Sequence, residues 1–294
     1  MRAPQPEIPT HMFHLLRRLA ATALMGLAFA LPAHATPYST DYSDLWWEGP
    51  AEDGWGVNFI QQGDIIFATF FVYGADKAAR WFVAPAMAPT AAQPSTGHRF
   101  SGDLYQTTGP WFGGTFDLAQ RTANVVGTAM VTFDSPDTAT LSYTVSGTPV
   151  VKAITRQTFR SNSVAGFYFG GLVAIASQCG DATDNGAVDI VGSMSVTHTV
   201  SQTTSQASFQ VEFITPIGQQ ATCLFAGTHV PRGRLAHVTS GNFSCVVGNL
   251  QANQGTFTMT GLDAQRNGFH AAFTGADQFC TYNWLFGGPR EAGT

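Results

Sequence analysis

From about Trp55 onward the chain is written in short apolar or alternating runs, each closed by a cluster of Gly, Asp, Asn or Pro, and that punctuation restricts it to antiparallel sheet. The first eight runs are 54–61, 65–73, 80–84, 99–106, 114–118, 125–133, 138–145 and 150–159. Eight closely spaced strands in sequence order predict an up-and-down meander that closes on itself as a barrel. Within 141–145, Leu141, Tyr143 and Val145 alternate with Ser142 and Thr144, so one face is dry and the other wet. The run 65–73 is apolar on both faces, which suits a strand with core on one side and a second layer, a lipid or a partner on the other.

Composition turns polar at 160–163 before a new apolar run opens at Gly166-Phe167-Tyr168. That change predicts two tandem antiparallel β-domains, residues 36–163 and 164–294. The second half has runs at 167–176, 190–200, 207–214, 222–228, 235–238, 242–247, 255–260, 268–274 and 280–286, read as a smaller barrel or a sandwich. Two stretches in it, Gly227…Arg232-Gly233…Gly241…Cys245 and Gly261…Arg266-Asn267-Gly268…Gly275…Cys280, share a loose pattern that would be an internal repeat.

All four cysteines, Cys179, Cys223, Cys245 and Cys280, lie in this half. An even count in an exported chain implies disulfides, and three pairings are open. Cys223–Cys245 and Cys179–Cys280 are favoured, the first joining neighbouring strands and the second the start of the half to its end. No two cysteines sit at the short spacing of zinc ligands, so no metal is expected, and no cofactor motif is present.

Export is read from the N-terminus. Arg17 and Arg18 precede an apolar run from Leu19 to Leu31, and Ala33-His34-Ala35 makes a small-residue cleavage site, so residues 1–35 read as a signal peptide. The run is shorter than the ~20 residues of a spanning helix, so no membrane span is expected in the mature chain. Met12 would open a more ordinary signal than Met1. Removing 35 residues leaves 11 Lys+Arg against 18 Asp+Glu, a net charge of −7 and a secreted or periplasmic protein. Nucleic acid is therefore an unfavourable partner, because neutralising phosphates needs a basic surface.

The densest motif runs Leu45-Trp46-Trp47-Glu48-Gly49-Pro50-Ala51-Glu52-Asp53-Gly54-Trp55-Gly56-Val57-Asn58, followed by Gln61-Gln62-Gly63-Asp64 and Trp81-Phe82-Val83. Over 45–83 it resembles a recurrent N-terminal segment of secreted, uncharacterised proteobacterial proteins. It departs from that pattern with Glu48-Gly49 before the proline and Ala78-Ala79 in place of a Gly turn. The resemblance implies export and transfers no catalytic residue. Gly54-Trp55-Gly56 is also similar to the Gly-x-Trp corner of lipocalin and avidin-type barrels, which implies that Trp55 plugs the barrel base.

Trp46, Trp47, Trp81, Tyr105 and Trp111 are the residues from which a ligand site could be built, since flat rings favour sugars, lipids and other rings. Adjacent residues on a strand face opposite ways, so at most one of Trp46 and Trp47 enters the core. Catalytic patterns are sparse: there is no Gly-x-Ser-x-Gly elbow, His-Glu-x-x-His pair or phosphate loop. His229 and His237 could meet across a hairpin near Asp263, and Glu48, Glu52 and Asp53 beside the tryptophans could form a glycosidase-like carboxylate site. The stretch Asp181 to Asp189 carries oxygens for calcium but misses the EF-hand spacing, and an Asn-Gly turn accounts for it equally. The expected function is a non-catalytic ligand-binding or surface-interaction module for a hydrophobic small molecule, a glycan or a cell-surface component. The alternatives are a secreted hydrolase and an outer-membrane barrel.

Overall fold

The computed structural model describes residues 40–201, 204–215, 217–248 and 250–293. The signal-peptide reading of residues 1–35, with its two possible starts, lies outside them. The first eight strands are β1 (Asp44–Trp47), β2 (Gly56–Gln62), β3 (Ile65–Tyr73), β4 (Ala79–Pro89), β5 (His98–Thr108), β6 (Thr122–Phe133), β7 (Thr138–Val145) and β8 (Thr148–Arg156). Each pairs antiparallel with its neighbour, and β1 pairs with β8 to close the barrel. Eight strands are as expected, but their membership differs. The run 114–118 is loop, and the four-residue β1, carrying Trp46 and Trp47, supplies the missing strand. Alternation fails to identify 114–118 because its apolar residues have no neighbouring strand to cover them.

A second closed barrel follows: β9 (Gly166–Ser177), β10 (Gly186–Val200), β11 (Ser205–Ile214), β12 (Gln220–Arg232), β13 (Leu235–Val247), β14 (Leu250–Gln265), β15 (Gly268–Asp277) and β16 (Thr281–Pro289). It is a barrel rather than a sandwich, with as many strands as the first. The runs 235–238 and 242–247 merge into β13, whose register slips around Thr239, Ser240 and Gly241. Both disulfides are those favoured from sequence: Cys179–Cys280, and Cys223–Cys245 between directly opposed residues of β12 and β13.

Inward residues fill each barrel with rings. Phe133 is the hub of the first, stacked on Tyr42 at 3.7 Å and meeting Trp46, Phe59 and Phe100 edge-on at 5.3, 5.6 and 6.0 Å. Phe225 is the hub of the second, with Phe243, Phe257, Phe273 and Trp284 at 5.2 to 5.7 Å. Such pairs add ~0.5–1.5 kcal/mol each beyond burial, and they need no polar lining.

The two barrels close by the same device. In the first, the Trp46 indole N–H donates to the Tyr42 carbonyl four residues back, and the Arg156 guanidinium lies 4.9 Å over its ring. The next residue, Gln157, donates its N–H to the Leu45 carbonyl. In the second, the Tyr168 hydroxyl donates to the Val164 carbonyl, Arg290 lies 5.8 Å over the ring, and the Glu291 N–H donates to the Phe167 carbonyl. The internal correspondence thus runs between barrels. The loose repeat seen in sequence falls instead on the successive β12–β13 and β14–β15 hairpins.

The turn between β12 and β13 inserts at the base of the first barrel. Gly233 holds φ +63° where a side chain would collide with Asp44 and Arg156. Its N–H donates to Thr158 Oγ1 at 2.8 Å, the Arg234 N–H donates to Asp44 at 3.0 Å, and the Arg234 guanidinium pairs with Asp41 at 3.0 Å. Arg156, fully buried, donates to Asp44 and to the carbonyls of Asp41, Ser43 and Pro136, which satisfies its charge.

Candidate interaction surface

Period-two alternation sends every other residue of β2, β3 and β4 outward, and on these strands the outward residues are mostly apolar, Asn58, Gln62 and Thr69 being the polar ones. Gly56, Phe71 and Trp81 form one cross-strand row; Asn58, Thr69, Val83, Tyr105 and Val125 form the next; Ile60 and Phe67 a third. Ile60, Phe67, Phe71, Trp81 and Val125 are exposed, Trp81 by 54%. Beside Ile60 and Phe67 a depression of about 470 Å³ is completed by Gln62, Ile65 and Pro85. The outward residues of β5 to β8 are mostly polar, including Arg99, Ser101, Asp103, Thr128, Thr132, Thr140 and Thr155. The apolar face is therefore one-sided.

At the end of the barrel where β5 gives way to β6, the loop 109–121 carries Trp111, Phe112, Phe116 and Leu118, exposed by 71, 97, 65 and 73%. Sequence reasoning singled out Trp111 but read its neighbours as strand. The signal it missed is the Gly109-Pro110 and Gly113-Gly114 punctuation around Trp111-Phe112, which marks a loop.

The five sequence candidates separate. Trp81, Tyr105 and Trp111 lie on this face and loop, with Tyr105 half-buried. Trp47 faces outward on β1 opposite Thr155, half-buried. Trp46 is wholly enclosed in the core and cannot meet a surface ligand. Trp55 is not the base plug either, since Trp46 has that place. The half-buried Trp55 donates its indole N–H to Glu52 at 2.9 Å.

The carboxylates beside the tryptophans are tied up by Lys152, which pairs with Glu48 at 3.0 Å and with Glu52 at 2.5 Å and lies 5.6 Å over the Trp55 ring. The Lys152 hydrogen bond, aided by that of Trp55, holds the Glu52 carboxyl below its usual value, and Glu52 in turn raises the Lys152 ammonium. A glycosidase acid needs the opposite shift. Asp181 is likewise engaged locally, accepting from the Thr183 N–H and hydroxyl.

His229, His237 and Asp263 do not converge. His237 lies 3.5 Å from Asp137, and Asp263 faces Arg234. His229, 3% exposed, instead joins His198 and Ser205 in a chain whose direction is fixed at one end. The Val164 N–H can only donate, so His198 Nδ1 accepts, at 3.3 Å. His198 Nε2–H then donates to Ser205 Oγ at 2.8 Å, and Ser205 Oγ shares a hydrogen bond with His229 Nδ1 at 3.2 Å. His229 Nε2 is buried without a partner among the described residues, and burial together with His198 lowers its pKa to about 4. Nothing in the sequence spacing of these three residues announces them.

No family model matches the chain, and no curated protein matches it either.

Proposed function

We propose that the protein is an exported, non-catalytic interaction module that docks through the outer face of β2–β4 and the adjoining loop 109–121 onto an apolar or amphiphilic surface. The observation that carries this reading is the pairing of ring-filled barrel interiors with exposed aromatic residues gathered on one side of the first barrel. A buried ligand would have to displace the Phe133 or Phe225 hub, whereas Phe71, Trp81, Trp111 and Phe112 are already available. The disulfides fit an oxidising compartment.

The one-sidedness also argues against a barrel that spans a membrane. Such a barrel needs an apolar band on all sides and a polar lumen. Polar outward residues on β5–β8 and an apolar interior reverse both requirements. The hydrolase alternative is disfavoured by the ion-paired state of Glu48 and Glu52.

The test is binding to zwitterionic phosphocholine vesicles and to detergent micelles, followed by tryptophan fluorescence and co-sedimentation. Wild-type protein should bind, and Trp81→Ala with Phe112→Ser should reduce association at least tenfold while leaving the circular dichroism unchanged. Equal behaviour of wild type and variant would overturn the reading.

A further inference from the structure

On the second barrel, the outward faces of β13–β16 form a groove of about 660 Å³, within the ~300–1,000 Å³ span of small-ligand sites. Sheet sterics explain why it is concave. At Gly241 a side chain would strike the Phe257 ring, and at Gly275 it would strike Trp284, so β13 and β15 sink against the core where these glycines stand. The register slip between Val238 and Gly241 bends β13 further.

The lining is uniform in chemistry. Thr239, Ser240 and Asn242 come from β13, Thr256 and Thr258 from β14, Thr274 from β15, and Thr281 and Asn283 from β16. Thr258, Thr274 and Asn283 lie in one cross-strand row; Asn242 and Thr256 are directly paired in the next. Of all the lining residues, none carries a charge, and the half-buried Tyr282 adds apolar surface.

Three ligand classes can be weighed against that lining. An anion finds no cation there, and a cation finds no carboxylate. Thr258 and Thr274 share a hydrogen bond at 3.2 Å and Thr281 donates to the Ser177 carbonyl, but a purely apolar molecule would strip water from Thr239, Ser240, Asn242, Thr256 and Asn283 without replacing their hydrogen bonds, at a cost of ~1–3 kcal/mol for each group left unpaired. A polyhydroxylated neutral molecule replaces them, because its own hydroxyls both donate and accept as Thr, Ser and Asn do. The sheet presents these groups at ~4.8 Å between strands and ~6.8 Å along them, a lattice suited to an extended chain of repeating units.

We propose that the β13–β16 groove binds a neutral polysaccharide chain, with Thr258, Thr274, Asn242 and Asn283 as its hydrogen-bonding residues. This site is separate from the aromatic face of the first barrel and does not depend on it.

Affinity electrophoresis of the full chain through gels containing a neutral α-glucan, a neutral β-glucan, a galactomannan or anionic alginate tests the assignment. At least one neutral polymer should retard the protein and alginate should not. The near-isosteric Thr258→Val/Thr274→Val double variant should weaken retardation at least tenfold, and Asn242→Ala several-fold. Thr128→Val and Thr140→Val, both outward on the first barrel, should migrate as wild type. Circular dichroism and thermal melting of each variant separate lost binding from lost fold, and a misfolded double variant leaves Asn242→Ala and Asn283→Ala to decide. Absence of retardation by all three neutral polymers, equal retardation by alginate, or undiminished binding by the folded variants would each overturn the proposal.

Discussion

Acid should destabilise the second barrel through His229, and the size of the effect follows from its surroundings. The imidazole accepts a proton at 6.5 in an unfolded chain but only at about 4 when buried beside His198. Between those values the unfolded state binds the extra proton, so this group's contribution is intact above about pH 6.5 and is lost as pH falls toward 4. At ~1.4 kcal/mol per pH unit, the gap is worth up to about 3 kcal/mol, of which about 2 is gone by pH 5. The structural reason is burial: a second proton would charge a ring that is 3% exposed and lies beside His198. Urea unfolding of wild type and His229→Asn at pH 8, 6.5, 5 and 4.5 measures this. The variant, which does not titrate, should show a stability loss between pH 8 and 5 that is smaller than wild type by about 2 kcal/mol. Parallel pH curves for the two proteins would refute the lowered proton affinity of the buried ring and the stability change reasoned from it.

Trp46→Ala removes a wholly buried ring packed on Phe133 and beneath Arg156, and should cost about 3–5 kcal/mol by chemical denaturation. Trp81→Ala, on the outer face, should stay within about 0.5 kcal/mol of wild type in the same assay. Opening the disulfides should destabilise by about 3 kcal/mol for Cys223–Cys245 and about 5 for Cys179–Cys280, which closes the longer loop; paired Cys→Ala variants in denaturant titrations resolve the two. Lys152→Met should let the Glu52 carboxyl titrate upward toward its ordinary range, read by carboxyl carbon chemical shifts against pH.

Much of the fold was legible because its rule is local. Strand period and turn punctuation are properties of a few adjacent residues, so most runs fell where strands lie, and the cysteine pairing followed from which runs would neighbour one another. The misreadings share a cause. The run 114–118 has apolar residues at strand-like spacing, and only the absence of covering neighbours makes it a loop. Strand β1 is too short to show a period, and its tryptophans read first as a motif. The split of β13 came from Thr239-Ser240-Gly241, which signals a turn locally but forms a bulge because β12 and β14 hold it on both sides. The candidate surfaces were less legible. Outward aromatics on β3 and β4 could be named from alternation, but the concavity beneath the threonines needs Phe257 and Trp284, which are remote in sequence from Gly241 and Gly275. The His198–Ser205–His229 chain depends on the rotation of β10, β11 and β12 around a common axis, which no short window encodes.

The hairpin tip held among Asp41, Asp44 and Thr158 has a consequence for any partner that offers both apolar and sugar surface. With Gly233 and Arg234 anchored there, the span from Trp81 to Thr258 is set by the protein rather than by a slack tether, so engagement of one end presents the other at a high local concentration. If both proposed surfaces bind, their affinities multiply on a partner whose features match that span, and on one whose features do not they act singly.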